Sequence, residues 1–219
     1  MDNKIILALD VDTLEKAAGF VKLLYPKIKT FKIGSQLFTG YGPKAIEAVH
    51  ERGGSVFLDL KFFDIPNTVA NAVRQAARLK VKMLTLHISG GQEMLSAAVK
   101  AAKDEAAMLK ITPPLLIGVT VLTSKESDPQ DVLKLAGVGL DSGLDGIVCS
   151  PREVSLLRKS LGPDFVIVTP GIRPPESGSD DQKRTATAKS AIEAGSDFLV
   201  VGRPIIEAKD PLSALESLV

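Results

Sequence analysis

The stretch "FLDLKFFDIPNT" at residues 57–68 begins as a buried strand and then carries charges where an apolar core would continue. Asp59, Lys61 and Asp64 form the pattern Asp-x-Lys-x-x-Asp. Side chains two apart on a strand project to the same face, which predicts that Asp59 and Lys61 lie side by side. Because a lone buried charge is costly, we expect these charges to compensate one another. The stretch therefore predicts a partly desolvated charged site at the end of a core strand.

This strand is one of eight apolar, β-branched runs that alternate with segments of helical period, and each gap is expected to hold one helix. The runs cover residues 4–11, 30–36, 55–61, 83–88, 115–122, 146–150, 165–170 and 198–202. Near-continuous apolar strands are typical of parallel sheets that helices cover. We therefore predict an α/β protein with a single-domain (β/α)8 TIM barrel over residues 1–219.

An open, doubly wound sheet is the alternative architecture. Such a sheet usually carries a glycine-rich phosphate loop after its first strand. The corresponding stretch here, "LDVDTLEKA" at residues 9–17, has no GxGxxG pattern. The closed barrel is favoured for that reason.

The charge balance bears on the kind of partner. The 219 residues include 27 Lys and Arg against 26 Asp and Glu, a net charge of +1. This gives no electrostatic reason to expect nucleic acid or an anionic membrane as a partner. A compact anionic ligand is still compatible with it, because a local cluster of cations needs no overall excess.

The chain carries no signal for secretion or membrane insertion. The N-terminus, "MDNKIILALD", lacks the long apolar region and cleavage site of a secretory signal. The apolar run "PPLLIGVTVL" is about half of the roughly 20 residues that a membrane helix needs. Cys149 is the only cysteine, so an internal disulfide is excluded, and a buried inert thiol is favoured over a nucleophile. We expect a soluble, cytoplasmic protein.

Polar residues recur where the predicted strands end, which is where barrels of this kind hold their catalytic groups. The positions are Asp10, Lys32, Asp59, Lys61, Asp64, His87, Thr123, Arg173 and Arg203. Lys32 would add a second cation beside the pair on the neighbouring strand. We therefore expect an alternating chain of lysines and aspartates, and the structural alternative is a salt-bridge network that only closes the barrel.

The two histidines give no metal signal. His50 lies in a helix-like segment, and His87 stands at a strand end without a role that the sequence indicates. The two are far apart and show no HExxH spacing. We expect no metal site.

The last two strands are each followed by an arginine beside Gly or Pro, in "TPGIRPP" at residues 169–175 and "VVGRPI" at residues 200–205. The loops after strands 7 and 8 form the usual phosphate site of such barrels. Gly202 would allow a close backbone approach to an anion, and Arg203 would donate two hydrogen bonds. The segment "PPESGSDDQKR" between them has the composition of a lid that carries Gln182, although an ordinary surface loop has the same composition.

"DLKFFDIPNT" resembles the signature of the orotidine 5′-monophosphate decarboxylase family. The resemblance spans the chain, since "LALDV", "FKIGSQLF", "HISGG", "GVTVLTS", "TPGIRP", "DQKR" and "VGRPI" follow in that family's order. It implies decarboxylation of orotidine 5′-monophosphate to UMP and CO2 in pyrimidine biosynthesis. It also implies catalysis without a cofactor, through a C6 carbanion that Lys61 stabilises and protonates.

The resemblance also implies roles for individual residues. Asp10 and Lys32 would bind the ribose hydroxyls, and Asp59 and Lys61 would flank the carbon that bears the carboxylate. The residues expected to cross into the active site of a second subunit, in an obligate homodimer, are Asp64, Ile65 and Thr68. Those expected at the pyrimidine edge are Thr123 and Ser124, and those expected in the lid or around the phosphate are Arg173, Gln182, Gly202 and Arg203.

Three other functions share parts of this pattern. A sister decarboxylase or hexulose-phosphate synthase would share Asp-x-Lys-x-x-Asp but use Mg²⁺, with an acidic ligand at the position of Lys32. A ribulose-phosphate epimerase would share the barrel and phosphate loops but show strand-end histidines, of which only His87 qualifies. A non-catalytic phosphosugar-binding protein would have no need for an alternating charge chain.

Overall fold

The computed structural model describes residues 4–122, 128–174 and 186–218. Eight parallel strands close into a barrel in sequence order, with the last strand pairing with the first. The strands are β1 (Ile5–Ala8), β2 (Thr30–Gly34), β3 (Ser55–Phe62), β4 (Met83–His87), β5 (Leu115–Val119), β6 (Gly146–Val148), β7 (Val166–Thr169) and β8 (Phe198–Val201). The predicted (β/α)8 barrel is confirmed.

Helices connect the strands on the outside of the barrel. They are α1 (Leu14–Leu24), α2 (Ser35–Tyr41), α3 (Pro43–His50), α4 (Pro66–Arg78), α5 (Gly91–Leu109), α6 (Pro129–Asp141), α7 (Val154–Leu161), α8 (Ala188–Glu193), α9 (Arg203–Ile206) and α10 (Pro211–Leu218). Side-chain caps start four of them, since Thr13, Asp128, Thr187 and Asp210 each accept a hydrogen bond from a backbone N–H of the first turn.

The connection between β2 and β3 differs from the expected single helix. It holds both α2 and α3, and the predicted strand at residues 30–36 stops at Gly34, directly before α2 begins at Ser35. Gly42 separates the two helices at φ +55°, a conformation that glycine adopts without steric cost. Pro43 then opens α3, because a proline in the first turn gives up no hydrogen bond that the helix would make.

The core has two parts that follow the alternation of side chains along the strands. Ile6, Phe57, Met83, Ile117 and Val168 form a buried cluster of their own inside the barrel. The neighbouring side chains point outward and pack against the helices in a much larger cluster. Polar residues continue the inward-facing rows toward the C-terminal ends of the strands, and this places the site at that end.

One strand departs from regular pairing just where the charges begin. In the β3–β4 ladder, Leu58 pairs with Leu84 and Phe62 with Leu86, so three residues of β3 face Thr85 alone. Within this bulge Lys61 adopts φ +51°. Lys80 and Lys110 also have positive φ, but both follow the ends of helices. Lys61 therefore takes an unusual backbone conformation within a strand.

None of the helices built from the described residues combines the length and apolarity that crossing a membrane would require.

Candidate active site

A cavity of about 550 Å³ opens at the C-terminal end of the barrel. Its volume is in the range of small-molecule sites. Apolar side chains of the strands form its floor, among them Phe57, Val168 and Val200. The charged side chains that line it are Asp10, Lys32, Asp59, Lys61, Arg173, Arg203 and Glu207.

Four of these residues form a continuous chain of alternating charge. Lys61 Nζ lies 2.8 Å from Asp59 Oδ1, and Lys32 Nζ lies 3.6 Å from Asp59 Oδ2. Lys32 Nζ also lies 3.0 Å from Asp10 Oδ1. The side chains of Lys32 and Asp59 are only 11% and 15% exposed. The order along the chain is Asp10, Lys32, Asp59, Lys61.

Asp59 is held in its ionised form by its neighbours. Burial is the largest single influence and on its own opposes ionisation of the carboxyl group. The charges of Lys32 and Lys61, with hydrogen bonds from Lys61 and Thr85, together outweigh it. The pKa of Asp59 consequently lies below its ordinary value, so the carboxylate keeps its charge at neutral pH.

Two residues that the sequence analysis did not identify shape this charge chain. A Cβ atom added at Gly34 would lie 3.0 Å from Lys32 Nζ and 3.3 Å from Asp10 Oδ1, so glycine leaves room for that pair. The Thr85 hydroxyl donates a hydrogen bond to Asp59 Oδ1 over 3.0 Å and accepts one from the Lys61 N–H over 2.8 Å. The sequence signals that could have identified these two residues were a glycine at the end of an apolar strand and a threonine inside another.

Arg173 and Arg203 line the cavity beyond β7 and β8, on the far side of the barrel from Lys61. Arg203 is the first residue of α9, and Gly202 precedes it at the end of β8. Strand β7 is four strands away from β3 in the closed barrel, so β7 and β3 lie on opposite sides of the cavity. The cavity thus has one end with alternating charges and another with two arginines. Glu207, which the sequence analysis did not identify, also lines the cavity, and its backbone N–H donates a hydrogen bond to the Arg203 carbonyl.

Asp64, Ile65 and Thr68 do not line the cavity of their own chain. Asp64 Oδ1 accepts a hydrogen bond from the Ile65 N–H over 2.6 Å, at the start of α4. Phe63 and Ile65, on either side of Asp64, are large apolar side chains with 61% and 67% exposure. An acid framed by exposed apolar groups therefore projects from the barrel surface.

His87 packs beside this segment. Its ring meets Phe63 edge-on, with 5.8 Å between ring centroids. Burial, followed by the positive charge of Lys61, lowers the pKa of His87, although Asp59 acts in the opposite direction. The imidazole is therefore neutral at neutral pH.

Three predicted site residues, Thr123, Ser124 and Gln182, lie outside the described residues. Within residues 4–122, 128–174 and 186–218, no group of three or more His, Cys, Asp or Glu side chains is arranged to hold a metal ion. Cys149 is buried, and burial raises the pKa of its thiol far above the ordinary value, as expected of an inert cysteine.

Comparison with known proteins links this geometry to one family. Residues 3–218 match the family model described as "Orotidine 5'-phosphate decarboxylase / HUMPS family". A protein of Actinobacillus pleuropneumoniae serotype 5b named orotidine 5′-phosphate decarboxylase is 49% identical, with coverage of 100% of this chain and 98% of that protein. One of the same name from Syntrophotalea carbinolica is 46% identical over 99% of this chain and 93% of its own length.

Solved structures agree with the sequence matches. The crystal structure of orotidine 5′-phosphate decarboxylase from Lactobacillus acidophilus superposes with a TM-score of 0.83 at 36% identity, and 99% of this chain and 97% of that one are covered. The structure of orotidine 5′-phosphate decarboxylase from Pyrococcus horikoshii OT3, at 24% identity and a TM-score of 0.77, shares the fold over 98% of this chain and 96% of its own.

Proposed function

Because this chain belongs to the orotidine 5′-phosphate decarboxylase / HUMPS family, we propose that it converts orotidine 5′-monophosphate to UMP and CO2 in pyrimidine biosynthesis. The observation that carries the proposal is the chain of alternating charge from Asp10 to Lys61 at the cavity mouth. A protein that only bound phosphosugars would gain nothing from a fixed ammonium group held by a buried carboxylate. A carbanion-forming enzyme requires such a cation.

In the proposed complex, the substrate spans the cavity from one charged end to the other. The phosphate binds at the arginine end, with Gly202, Arg203 and the lid residues Arg173 and Gln182. Asp10 and Lys32 bind the ribose hydroxyls, and Thr123 with Ser124 contacts the pyrimidine edge. This orientation directs C6 of the pyrimidine toward Asp59 and Lys61.

The proposed reaction needs no cofactor. The bond between C6 and the carboxylate breaks, its electron pair stays on C6, and CO2 leaves. The Lys61 ammonium stabilises the developing negative charge and then transfers a proton to C6. The resulting neutral amine regains a proton from water. Because ionised Asp59 keeps Lys61 fixed beforehand, no reorganisation of the site is needed as the charge develops.

The proposed active enzyme is a homodimer with shared sites. Phe63 and Ile65 expose apolar surface on either side of Asp64, which supports an interface there. A two-fold axis would carry Asp64, Ile65 and Thr68 of each subunit to the cavity of the other. We propose that the dimer works in the cytoplasm, without a nucleic acid or membrane partner.

The direct test is incubation of the purified protein with orotidine 5′-monophosphate. A fall in the ultraviolet absorbance of orotate, with formation of UMP and CO2, is the expected result. An unchanged substrate, under conditions in which the protein is folded and binds UMP, would refute the proposed function.

Activity should survive removal of divalent metal. Lys32 lies between Asp10 and Asp59, and its charge repels a cation from the position that a metal-dependent relative would use. We therefore expect the same kcat and KM before and after dialysis against EDTA. Loss of activity that added Mg²⁺ restores would instead identify a metal-dependent decarboxylase of the same family.

Arg203→Ala should lower kcat/KM, because the phosphate loses a charge-assisted contact. The expected decrease corresponds to a loss of about 2–5 kcal/mol of transition-state stabilisation. Part of the loss should appear in kcat, since binding energy at the phosphate also organises the reacting end. Steady-state kinetics with orotidine 5′-monophosphate measure both effects. Added guanidinium ion should restore part of the activity.

The control for this prediction is a substrate that lacks the phosphate. Wild type and Arg203→Ala should process it almost equally, because neither then has an anion to bind. Arg52→Ala serves as the matched protein control, since Arg52 lies before β3 at the other end of the barrel and does not line the cavity. Equal impairment of Arg203→Ala on both substrates would contradict the phosphate assignment.

A further inference from the structure

Thr85 is almost completely buried, with 1% of its surface exposed, and it faces the bulge in β3. Its hydroxyl uses both of its hydrogen-bonding capacities there. It accepts the Lys61 backbone N–H and donates to Asp59 Oδ1. The same Asp59 oxygen receives Lys61 Nζ. The Thr85 hydroxyl, the Asp59 carboxylate and Lys61 thus form a closed ring of hydrogen bonds. In this ring the hydroxyl contacts both ends of the bulge.

The ring accounts for a backbone conformation that Lys61 would not adopt unaided. At φ +51° the lysine is in the left-handed region, which side chains with a Cβ disfavour. The hydrogen bond from its N–H to Thr85 fixes the peptide at that point. The hydrogen bond from Thr85 to Asp59 then fixes the carboxylate that holds the lysine's other end.

Packing alone does not explain a threonine at this position. The neighbouring inward-facing residues of the barrel include Phe57, Met83 and Ile117, all apolar. Valine has nearly the volume of threonine and would suit such surroundings, whereas a buried hydroxyl must find partners. Its partners here are Asp59 and Lys61. The hydrogen bonds to Asp59 and Lys61 therefore explain why a hydroxyl group is present at this position.

We propose that Thr85 is a positioning residue for decarboxylation, whose hydroxyl holds the Asp59 carboxylate and the Lys61 backbone in the relative placement that directs the ammonium group at C6. This inference rests on the proposed function. Thr85 itself contacts no substrate and acts through the two charged residues.

The proposal has a consequence for pH dependence. The hydrogen bond from Thr85 favours the ionised form of Asp59, and its loss should raise the pKa of that carboxyl group. The acid limb of the kcat/KM profile should then move to higher pH. The charged or titratable groups that face Asp59, and that all variants retain, are Lys32 on β2, Lys61 on β3, His87 on β4 and, through Lys32, Asp10 after β1.

The test compares Thr85→Val, Thr85→Ala and Thr85→Ser with wild type, once wild type is shown to decarboxylate orotidine 5′-monophosphate. Valine keeps the shape of threonine but lacks the hydroxyl group. The serine and alanine variants both lack the methyl group and differ from each other chiefly in the hydroxyl. We expect kcat to fall on the order of 10- to 100-fold in the valine and alanine variants, as for the loss of a hydrogen bond to a charged group. Thr85→Ser should stay within about 3-fold of wild type, since only a well-packed methyl group is lost. The acid limb should shift upward in the valine and alanine variants only.

Thr169→Val is the matched control. Thr169 is fully buried on β7, and its hydroxyl lies 2.7 Å from that of Ser196, away from the charge chain. This variant should lose thermal stability without a shift in the pH profile. If Thr85→Val folded with unchanged kcat and acid limb, or if Thr85→Ser were as impaired as Thr85→Ala, the positioning role would be wrong. An inactive wild type would refute the proposed function instead, so the two failures are distinguishable.

Discussion

Lys61→Ala is expected to lower kcat/KM by about 10⁴-fold or more, because it removes the group that we propose both stabilises the carbanion and donates the proton. Loss of one electrostatic contact to a developing charge costs about 10²- to 10³-fold, and loss of a general acid a further 10²- to 10⁴-fold. The variant should still bind UMP, since the residues proposed to bind the phosphate and the ribose are unchanged. Steady-state decarboxylation and calorimetric binding of UMP measure the two quantities.

A chemical rescue sharpens this prediction. Lys61→Cys treated with bromoethylamine gains a side chain close to lysine in length and charge, and should recover much of the activity. Cys149 does not interfere, because burial raises the pKa of its thiol and leaves little reactive thiolate. Lys27→Ala is the control, since it removes an exposed partner of Glu216 far from the cavity. Activity of Lys61→Ala near the wild-type value would exclude the proposed role of Lys61.

Mixtures of Lys61→Ala and Asp64→Ala dimers should be active although each homodimer is nearly inactive. Every site is proposed to combine Lys61 of one subunit with Asp64 of the other. A hybrid dimer then contains one site with both mutations and one with neither. After complete exchange about one quarter of all sites should be intact, which sets the expected recovery of wild-type activity.

The exchange itself must be verified, and differential mass tags on the two variants measure the fraction of hybrid dimers. Activity should rise in step with that fraction. A mixture of Lys61→Ala with Asp59→Ala is the matched control, because we propose that these two residues serve the same site. Each hybrid of that pair has one damaged residue in every site and should stay inactive. Hybrids of Lys61→Ala and Asp64→Ala that formed without recovery would contradict the shared site.

The barrel was predictable because its signals are local. Buried parallel strands appear as short apolar runs, and their number and alternation with helices point to a closed barrel. The contact between Asp59 and Lys61 was predicted from regular alternation, and it is present. The local geometry differs, however, since the residues lie in a bulge and Lys61 has a left-handed backbone.

The bulge was not predictable because no residue within it is typical of one. Positive φ usually points to glycine, and here a lysine adopts it. Its support comes from Thr85 on the next strand, which is a long-range contact.

Gly34 was missed for a similar reason, since the space it leaves is needed by side chains from two strands. The division of the β2–β3 connection into two helices depends on Gly42 and Pro43, a short signal inside a longer helical pattern.

Because the backbone of Lys61 is left-handed, thermal stability and the proposed activity favour different residues at this position. A side chain with a Cβ costs roughly 1 kcal/mol or more in that conformation, and glycine avoids most of this cost. Lys61→Gly should therefore unfold at a higher temperature than Lys61→Ala, and from the proposed role of Lys61 we expect both variants to be inactive. A library selected for thermal tolerance alone would drift toward glycine at residue 61 and lose catalysis. Directed evolution of a more robust enzyme from this chain must consequently include turnover in its selection.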